Sequence, residues 1–410
     1  MQQKKYYPWL LVGLLWGVGL LNYLDRQMLS TMRPAIQVDI KELNLATNFG
    51  YLMGIFLWIY GLMSPVAGVI ADRINRKWLI VGSLLVWSGV TFGMGYANTF
   101  NQLYWLRAVM GVSEALYIPA ALSLIADFHE KKTRSLAIGI HMTGLYLGSA
   151  LGGFGATIAA NYTWHFTFHS FGLVGILYAL VLIVLLREKK NRYELPGQST
   201  LKPKLPLLKG MAVLFSNMAF WIILMYFAVP SLPGWATKNW LPTLFAHHLD
   251  MPMSKAGPLS TITIATASFI GVLIGGILSD RWVQKNIRGR IFTSAIGLAL
   301  TIPALLFMGF GHSLGVLLAA GICFGLGFGM FDANNMPILC QFVAPKYRAT
   351  AYGLMNMVGV FSGAFITDLL GRSTDGGHLG RDFALLSIVV LAALIIQLIY
   401  LRPTANDYKE

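Results

Sequence analysis

Charged residues are scarce in this sequence, and cysteine is almost absent. Only 12% of the 410 residues are charged and 56% are apolar, so the chain has too few polar groups to coat a water-soluble globule of its size. Cys323 and Cys340 are too few for a disulfide framework and lack metal-ligand spacing, so we expect both to be core residues. The sequence also lacks a His-rich metal motif, a nucleophile elbow and a phosphate-binding glycine loop in the required context. These absences argue against an enzyme and predict neither a metal nor a cofactor.

Long apolar runs fill most of the chain, and its mean hydropathy is +0.62. A run of about twenty residues crosses about 30 Å of hydrocarbon. The first run lacks a small-residue cleavage site, so it predicts a membrane span rather than a signal peptide. The sequence thus predicts an all-α membrane protein of twelve spans, which begin near Pro8, Thr47, Trp78, Asn101, Ser135, His165, Met211, Ala256, Ile291, Ser313, Ala349 and Phe383.

The net charge of +14 is concentrated in short basic clusters between apolar runs, at residues 72–77, 131–134, 187–209, 281–290 and 346–348. A nucleic-acid-binding protein would instead carry its basic residues along one polar face, so we expect no nucleic-acid partner. Because Lys and Arg accumulate in cytoplasmic loops, both termini are predicted to be cytoplasmic, in a bacterial inner membrane. The stretch 188–209 is rich in Lys, Pro and Gly and predicts a linker between bundles at 1–187 and 210–410.

Two motifs of the first half recur in the second. The first motif is a glycine, three further residues and then Asp-Arg. It occupies 68–73 after the second span and 276–281 after the eighth. Glycine, an acid and proline share one spacing in 111–119, with Glu114, and in 329–337, with Asp332. Such duplication predicts two pseudo-symmetric six-helix bundles, with a substrate site between them near the bilayer midplane.

Four ionisable residues of the first half lie within predicted spans: Asp25 and Arg26 in the first, Arg107 and Glu114 in the fourth. A charge at the bilayer centre is disfavoured by roughly 2.5 to 3.5 kcal/mol, so each is a candidate functional residue. Arg107 and Glu114 are two helical turns apart and share one face. One interpretation is a set of ion pairs that only holds helices in register.

The alternative interpretation couples binding to protonation. Two acids and two bases balance one another, so an anion that engages an arginine leaves an acid free to accept a proton. We therefore expect Arg26 and Arg107 to bind an anionic substrate, and Asp25 and Glu114 to carry protons, with sodium as an alternative coupling ion. Neighbouring Asn22 and Tyr23 are further candidate substrate contacts.

Other candidates have two interpretations each. Asp332, Asn334 and Asn335 either serve protons and substrate hydroxyls or are structural. Trp240 is a substrate contact or gate, or part of an interfacial aromatic belt. His141, His165 and His169 relay protons or fill packing roles. Asn356 is a further predicted substrate contact. The loop residues Asp72, Arg73, Arg76, Asp280 and Arg281 form a latch between bundles or anchor the topology.

The sequence from Gly68 to Lys77 resembles the signature that follows the second span in the major facilitator superfamily. Within it, residues 22–30, 107–119, 240–243 and 253–257 are similar to the anion:cation symporter family, which includes bacterial hexuronate and galactonate transporters. The resemblance implies a monomeric, lipid-embedded, proton-coupled importer of a hexuronate, aldonate or sialic acid, in which Arg26 meets the carboxylate. Leu145 and Asp332 depart from that family's pattern. Arg348-Ala-Thr-Ala and the Asp-Arg and Glu-Ala pairs also resemble Spinster-like lysolipid or drug exporters, the alternative function.

Overall fold

The computed structural model describes residues 6–188, 207–344 and 347–403, and within these ranges every long regular element is an α-helix. A 3-10 turn, Lys41–Asn44, joins the first two helices. The helices are α1 Tyr7–Ile36, α2 Ala46–Arg73, α3 Arg76–Met94, α4 Phe100–Ala115, α5 Tyr117–Phe128, α6 Lys131–Gly152, α7 Gly155–Asn161, α8 Trp164–Leu185, α9 Leu207–Phe215, α10 Met218–His248, α11 Met253–Val283, α12 Gly289–Phe310, α13 Leu314–Asp332, α14 Asn335–Phe342, α15 Arg348–Asp375 and α16 Leu379–Tyr400.

Twelve segments of the described chain are long and apolar enough to cross a membrane, which confirms the predicted number of spans. Spans 1 to 3 are α1 to α3, span 6 is α8, spans 7 to 9 are α10 to α12, and spans 11 and 12 are α15 and α16. Span 4 combines α4 with α5, span 5 combines α6 with α7, and span 10 combines α13 with α14. The short helix α9 precedes span 7.

Side-chain caps determine where several spans begin. Thr163 accepts a hydrogen bond from the amide of Phe166 at 3.0 Å, so span 6 begins at Trp164, one residue before the predicted start. Span 7 begins at Met218, because the side chain of Asn217 accepts from the amide of Ala219 at 2.9 Å. The predicted start near Met211 was wrong, since that residue belongs to the separate helix α9. Capping satisfies amides that lack a partner in the first helical turn.

The duplicated glycine-acid-proline pattern produces a duplicated interruption of the helix. Proline lacks an amide hydrogen, and its ring clashes with the carbonyl four residues earlier. Pro119 therefore ends α4 at Ala115, immediately after Glu114. In span 10 the corresponding Pro337 opens the helix at Ala333, immediately after Asp332. Each acid consequently lies where the helix of its span is interrupted, near the middle of the span.

The spans pack as two six-helix bundles with matching internal contacts. In the first bundle span 1 packs on span 5, span 2 on span 4 and span 3 on span 6. The second bundle repeats this arrangement with spans 7 and 11, 8 and 10, and 9 and 12. Span 2 packs on span 11 and span 5 on span 8 across the boundary between bundles. This is the pseudo-symmetric architecture that the repeated motifs predicted.

Glycines allow span 5 to approach span 1 closely. A methyl group added at Gly148 would lie 2.1 Å from the carbonyl oxygen of Leu20, and one at Gly144 would lie 2.6 Å from that of Trp16. At Gly153 the added carbon would instead lie 2.8 Å from the carbonyl oxygen of Gly257, in span 8 of the other bundle. Only residues without a side chain permit such backbone contact.

The two bundles meet on the side of the membrane domain opposite the chain termini, which we call the distal side. The even number of spans places both termini on the other, terminal side. Thr157 donates to the carbonyl of Ser254 at 2.6 Å, and Thr261 donates to that of Ala150 at 3.0 Å. Contacts between spans 5 and 8 continue from the distal end to mid-span, where Tyr146 packs on Phe269 with ring centroids 6.0 Å apart. The bundles are therefore closed distally. Most of the predicted linker, 188–209, lies outside the described residues.

Candidate functional site

The charges of spans 1 and 4 meet directly in the interior of the first bundle. Arg26 donates from Nε to Oε2 of Glu114 at 2.5 Å. The Glu114 side chain is completely buried and that of Arg26 is 10% exposed. An ion pair removed from water to this degree is retained only where its geometry and further hydrogen bonds offset the loss of hydration. The pair thus forms the centre of the candidate site.

Aromatic rings surround the Arg26 guanidinium. Its central carbon lies 5.0 Å from the ring centroid of Tyr23, 4.9 Å from that of Phe56 and 4.6 Å from that of Tyr60. Cation–π contacts of this kind stabilise a cation through ring faces without using its hydrogen-bond donors. Accordingly, Nη2 of Arg26 is buried without a hydrogen-bond partner among the described residues.

Arg107 and Asp25 lie beside this pair. Arg107, like Arg26, packs on the ring of Phe56, with its guanidinium carbon 4.5 Å from the ring centroid. It also donates to the sulfur of Met110 at 3.1 Å. Asp25 accepts from the hydroxyl of Thr91 at 3.3 Å. Both charges are within electrostatic reach of Glu114. The structure therefore brings together all four ionisable residues singled out in the first half of the chain.

Several buried polar atoms in this cluster have no hydrogen-bond partner within the described chain. Buried polar groups are satisfied in the great majority of cases, so a group of exceptions needs an explanation. A ligand or ordered water would provide the missing partners. The atoms are Nη2 of Arg26, Nε of Arg107, Oδ1 of Asp25, Oε1 of Glu114 and both amide atoms of Asn22.

The second bundle contributes a smaller polar group around Asp332. Asn335 donates to Oδ1 of Asp332 at 3.0 Å, and the hydroxyl of Tyr226 donates to Asn335 at 3.3 Å. The ammonium of Lys238 lies 4.7 Å from the ring centroid of Trp235 and within electrostatic reach of Asp332. Asp332 and Asn335 were predicted from the sequence as site residues, whereas Lys238 was not among the predicted substrate or proton-coupling residues.

Asp332 faces a space shared by both bundles. Its side chain is solvent-exposed although it lies in mid-span. Tyr23 and Tyr146 of the first bundle and Tyr352 of the second are all within its electrostatic reach. Exposure to solvent in the midst of these residues indicates an internal chamber, with the Arg26–Glu114 pair in one wall and Asp332 in the other.

Three predicted substrate contacts lie elsewhere. Trp240 is fully buried and donates to the carbonyl of Thr367 at 3.1 Å, so it fills neither a belt nor the chamber wall. Asn334 is fully buried and donates to the carbonyl of Met330 in its own span at 2.8 Å. Asn356 donates to Ser64 at 3.3 Å across the contact between spans 11 and 2.

The family model described as Major Facilitator Superfamily matches residues 15–367. The chain belongs to this superfamily. It is a multi-pass membrane transporter and not an enzyme. The fold class and the motif at 68–77 predicted this membership, and the paired bundles with a chamber between them are its architecture.

Transporters of this superfamily from different substrate groups are similar to the chain. A sphingosine-1-phosphate transporter of Xenopus tropicalis is 24% identical over 94% of this chain and 79% of that protein. A hexuronate transporter of Bacillus subtilis is 24% identical over 85% of this chain and 88% of its own length. A crystal structure of a bacterial homolog of the human lysosomal transporter Spinster, inward-facing and unoccupied, has a TM-score of 0.82 and 20% identity, and the match covers 99% of each chain. At that identity the likeness concerns the fold.

The loop charges of this facilitator pair within their own bundles. Arg76 forms an ion pair with Asp127 of the first bundle and lies 3.9 Å from Glu188, the residue that directly follows that bundle. Asp280 lies 3.5 Å from Arg290 in the second bundle. Arg281 occupies the last turn of span 8, and the side chains of Asp72 and Arg73 lie outside the described residues.

The three histidines considered as proton relays occupy packing positions in this superfamily member. His141 is fully buried against the ring of Tyr117, with centroids 5.9 Å apart. His165 binds the carbonyl of Gly95 at 2.8 Å on the distal side, and His169 packs on Tyr96 at 4.3 Å. These contacts lie outside the group around Glu114.

Proposed function

We propose that the protein is a proton-coupled importer of a small organic acid, with Arg26 as the anion-binding residue and Glu114 as the proton carrier. The observation that carries the proposal is the buried Arg26–Glu114 pair, in which one donor and one acceptor lack a partner. A guanidinium with a free donor is suited to a carboxylate or phosphate oxygen. We assign Arg107, Asn22 and Tyr23 to supporting contacts and Asp25 to proton transfer.

Charge balance couples the two ligands. An anion that takes over Arg26 deprives Glu114 of its closest cation in a site from which bulk water is largely excluded. A buried carboxylate without a cationic partner takes up a proton rather than remaining charged. The anion and the proton together leave the net charge of the site unchanged, so the loaded carrier can reorient without moving bare charge through a low-dielectric interior.

Alternating access would move both ligands across the membrane. The bundles, assigned to 1–187 and 210–410 with a linker at 188–209, would rock about the chamber so that distal contacts break as terminal contacts form. The basic clusters favour cytoplasmic termini in a bacterial inner membrane. In that orientation the conformation described here is closed to the outside, and the loop charges near Arg76 and Asp280 would pair across the boundary when the transporter opens outward.

An acidic sugar such as a hexuronate, aldonate or sialic acid is the substrate that we favour. The relative named as a hexuronate transporter supports this class. Tyrosine hydroxyl groups of the first bundle, among them those of Tyr23 and Tyr146, can bind sugar hydroxyls. The carboxylate would meet Arg26 in the same wall.

A lysolipid or drug exporter is the second candidate. The relative named as a sphingosine-1-phosphate transporter and the likeness to the Spinster homolog favour it. The Arg26 side of the chamber is also aromatic, with the ring centroids of Tyr23 and Tyr60 at 5.0 and 4.6 Å from the guanidinium carbon. Aromatic surfaces of this kind suit an apolar chain as well as a sugar ring.

Arg26→Ala tests the proposal. Purified protein in liposomes with an inward proton gradient should accumulate glucuronate, galactonate or sialic acid, and Arg26→Ala should lower ligand affinity by at least about 30-fold, because a buried charge-assisted contact is worth about 2 kcal/mol or more. Arg381→Ala is the matched control, since Arg381 is 57% exposed and, within the part of the chain that the structure describes, pairs only with neighbouring Asp382. The proposal would be refuted if uptake were the same with and without the proton gradient and were unchanged in Arg26→Ala. Binding of lysophospholipids without competition from sugar acids would favour the exporter.

A further inference from the structure

The anion and proton scheme leaves two charges of the chamber unused. Asp332 and Lys238 belong to spans 10 and 7 and act on one another electrostatically. They nevertheless form no ion pair within 4.0 Å among the described residues. Opposite charges held near each other but apart leave room for a ligand that carries the complementary groups.

The Asp332 carboxylate has one occupied and one free oxygen. Oδ1 accepts from Asn335 at 3.0 Å, which fixes the orientation of the carboxylate, and the side chain as a whole is exposed to the chamber. Asn335 is itself held by the hydroxyl of Tyr226. The free oxygen is thus a positioned acceptor in an accessible space, which a purely structural buried acid would not offer.

Tyrosines from both bundles lie in the same part of the molecule as this acceptor, and Tyr226 is joined to it through Asn335. Tyr23, Tyr146, Tyr226 and Tyr352 are each within electrostatic reach of Asp332. Tyrosine rings present a negative face to a nearby cation, and an acid accompanied by aromatic rings is the chemistry that recognises an ammonium group. A sugar hydroxyl would need none of this negative potential.

A zwitterion is compatible with the charge balance of the chamber, and a proton taken up with it on Glu114 adds one positive charge. Three bases, Arg26, Arg107 and Lys238, face three acids, Asp25, Glu114 and Asp332, so the chamber is neutral as a whole. Tyr23 connects the two ends, since it lies 5.0 Å from the Arg26 guanidinium and within reach of Asp332. A ligand with an acid at one end and an amine at the other can occupy Arg26 and Asp332 together.

We propose that Asp332 forms an ammonium subsite of the chamber, so that the transported acid also carries a primary amine. This inference rests on the proposed function, because it assumes that Arg26 binds the acid group. The shared chemistry is an anionic group and an ammonium group in one molecule. Two sources supply it, amino sugar acids and amine-bearing lysophospholipids.

Matched ligand pairs test the subsite with purified full-length protein. The first pair is glucuronate and its 2-amino-2-deoxy analogue, and the second is lysophosphatidate and lysophosphatidylethanolamine. In either pair, the wild-type protein should bind the amine-bearing member about tenfold more tightly, measured by calorimetry, as expected for a charge-assisted contact. The pair that shows the preference identifies the source of the ligand.

Asp332→Asn should abolish the preference while leaving the affinity for the amine-free acid within about threefold of wild type. Asp332→Glu, which keeps the charge, should retain the preference and provides the readout if the Asn variant does not fold. Asp382→Asn, at a surface ion pair, is the control. Equal affinity for both members of each pair in wild type, or a preference that survives Asp332→Asn, would overturn the subsite. Arg26→Ala is expected to lose binding of both ligands of a pair. If this variant still bound both ligands, the proposed function would be refuted rather than the subsite.

Discussion

Glu114 has one partner too few for a buried carboxylate. Its Oε2 accepts from Arg26. Asn22 lies beside the carboxylate, but Oε1 makes no hydrogen bond of regular geometry with the described residues although the side chain is completely inaccessible to solvent. A carboxylate in this position is stable as an ion only while Arg26 remains beside it. In the proposed mechanism, substrate binding at Arg26 would therefore change the proton affinity of Glu114 without a conformational relay between distant sites.

Glu114→Gln should separate transport from coupling. The amide can still accept a hydrogen bond from Arg26 but cannot take up a proton, so gradient-driven accumulation should fall at least about tenfold. Exchange of labelled for unlabelled substrate across the membrane needs no net proton movement and should persist. Both rates are measured with the same proteoliposomes.

Glu42→Gln is the control for that substitution, because Glu42 is exposed in the 3-10 turn between spans 1 and 2. Its accumulation and exchange should equal those of the wild type. A Glu114→Gln protein that still concentrates substrate against its gradient would show that another group carries the proton.

The convergence of Arg26, Arg107 and Glu114 was predictable from sequence, since unpaired charges are too costly in lipid to point anywhere but inward. The positions of Trp240 and Lys238 were not. Span 7 contains Pro230, Pro233 and Pro242, which disturb the helical period on which a face assignment depends. Pro242 in particular cannot bond to the carbonyl of Lys238, and Gln27 of span 1 donates to that oxygen at 2.7 Å instead.

At the scale of elements, the distal end of span 11 caps the beginning of span 2. Span 2 has no side-chain cap from its own chain segment, because Leu45 occupies the N-cap position. Asp375 of span 11 accepts from the amides of Ala46 and Thr47 at 2.7 and 2.8 Å and from the Thr47 hydroxyl at 2.6 Å. One bundle thus supplies the cap for a helix of the other, and this contact exists only while the distal side is closed.

Asp375→Ala should consequently favour distal opening. Loss of a cap costs about 1 kcal/mol, which corresponds to a shift of about fivefold in a two-state equilibrium. Spin labels at Tyr162 and Arg381, both exposed on the distal side of different bundles, report the distance across that boundary after Cys323 and Cys340 are replaced by serine. The population with the longer distance should increase.

Asp250→Asn provides the control for the cap, because Asp250 is exposed on the same side and its positive φ of 47° is accessible to asparagine. It should leave the distance distribution unchanged. An unaltered distribution in Asp375→Ala would mean that the cap does not contribute to closure.

The sequence predicted the number of spans, because hydrophobic length acts locally. The interruption after Glu114 and Asp332 was not predicted, although Pro119 and Pro337 of the repeated pattern cause it. The cap by Asp375 could not be predicted, since it joins residues more than three hundred positions apart. The start of span 7 was misplaced for a local reason, as Asn217 begins a new helix within a continuous apolar run.

At the scale of the whole molecule, the two bundles repeat one set of contacts, but the boundary between spans 5 and 8 is asymmetric, whereas spans 2 and 11 stay in contact as far as Ser64 and Asn356. Distally, Thr157 contacts Ser254 and Gly153 lies against Gly257. Towards the terminal side, a methyl group added at Gly139 or Gly276 would meet no atom within 4 Å. Duplicated sequence can predict the paired bundles but not which end is closed, because one sequence supports both conformations with free energies only a few kcal/mol apart.

A reversible link across the distal boundary should therefore stop transport without preventing binding. In a background lacking Cys323 and Cys340, the double variant Thr157→Cys, Ser254→Cys places thiols where span 5 donates to the carbonyl of Ser254 at 2.6 Å. Crosslinking these thiols through a disulfide should reduce uptake in proteoliposomes by at least about tenfold, and a reductant should restore it, since the loaded site can no longer open distally. Calorimetry on the crosslinked protein in detergent should still detect ligand, which enters from the terminal side. Each single cysteine variant controls for the chemistry, and full transport by completely crosslinked protein would show that the bundles do not separate at this contact.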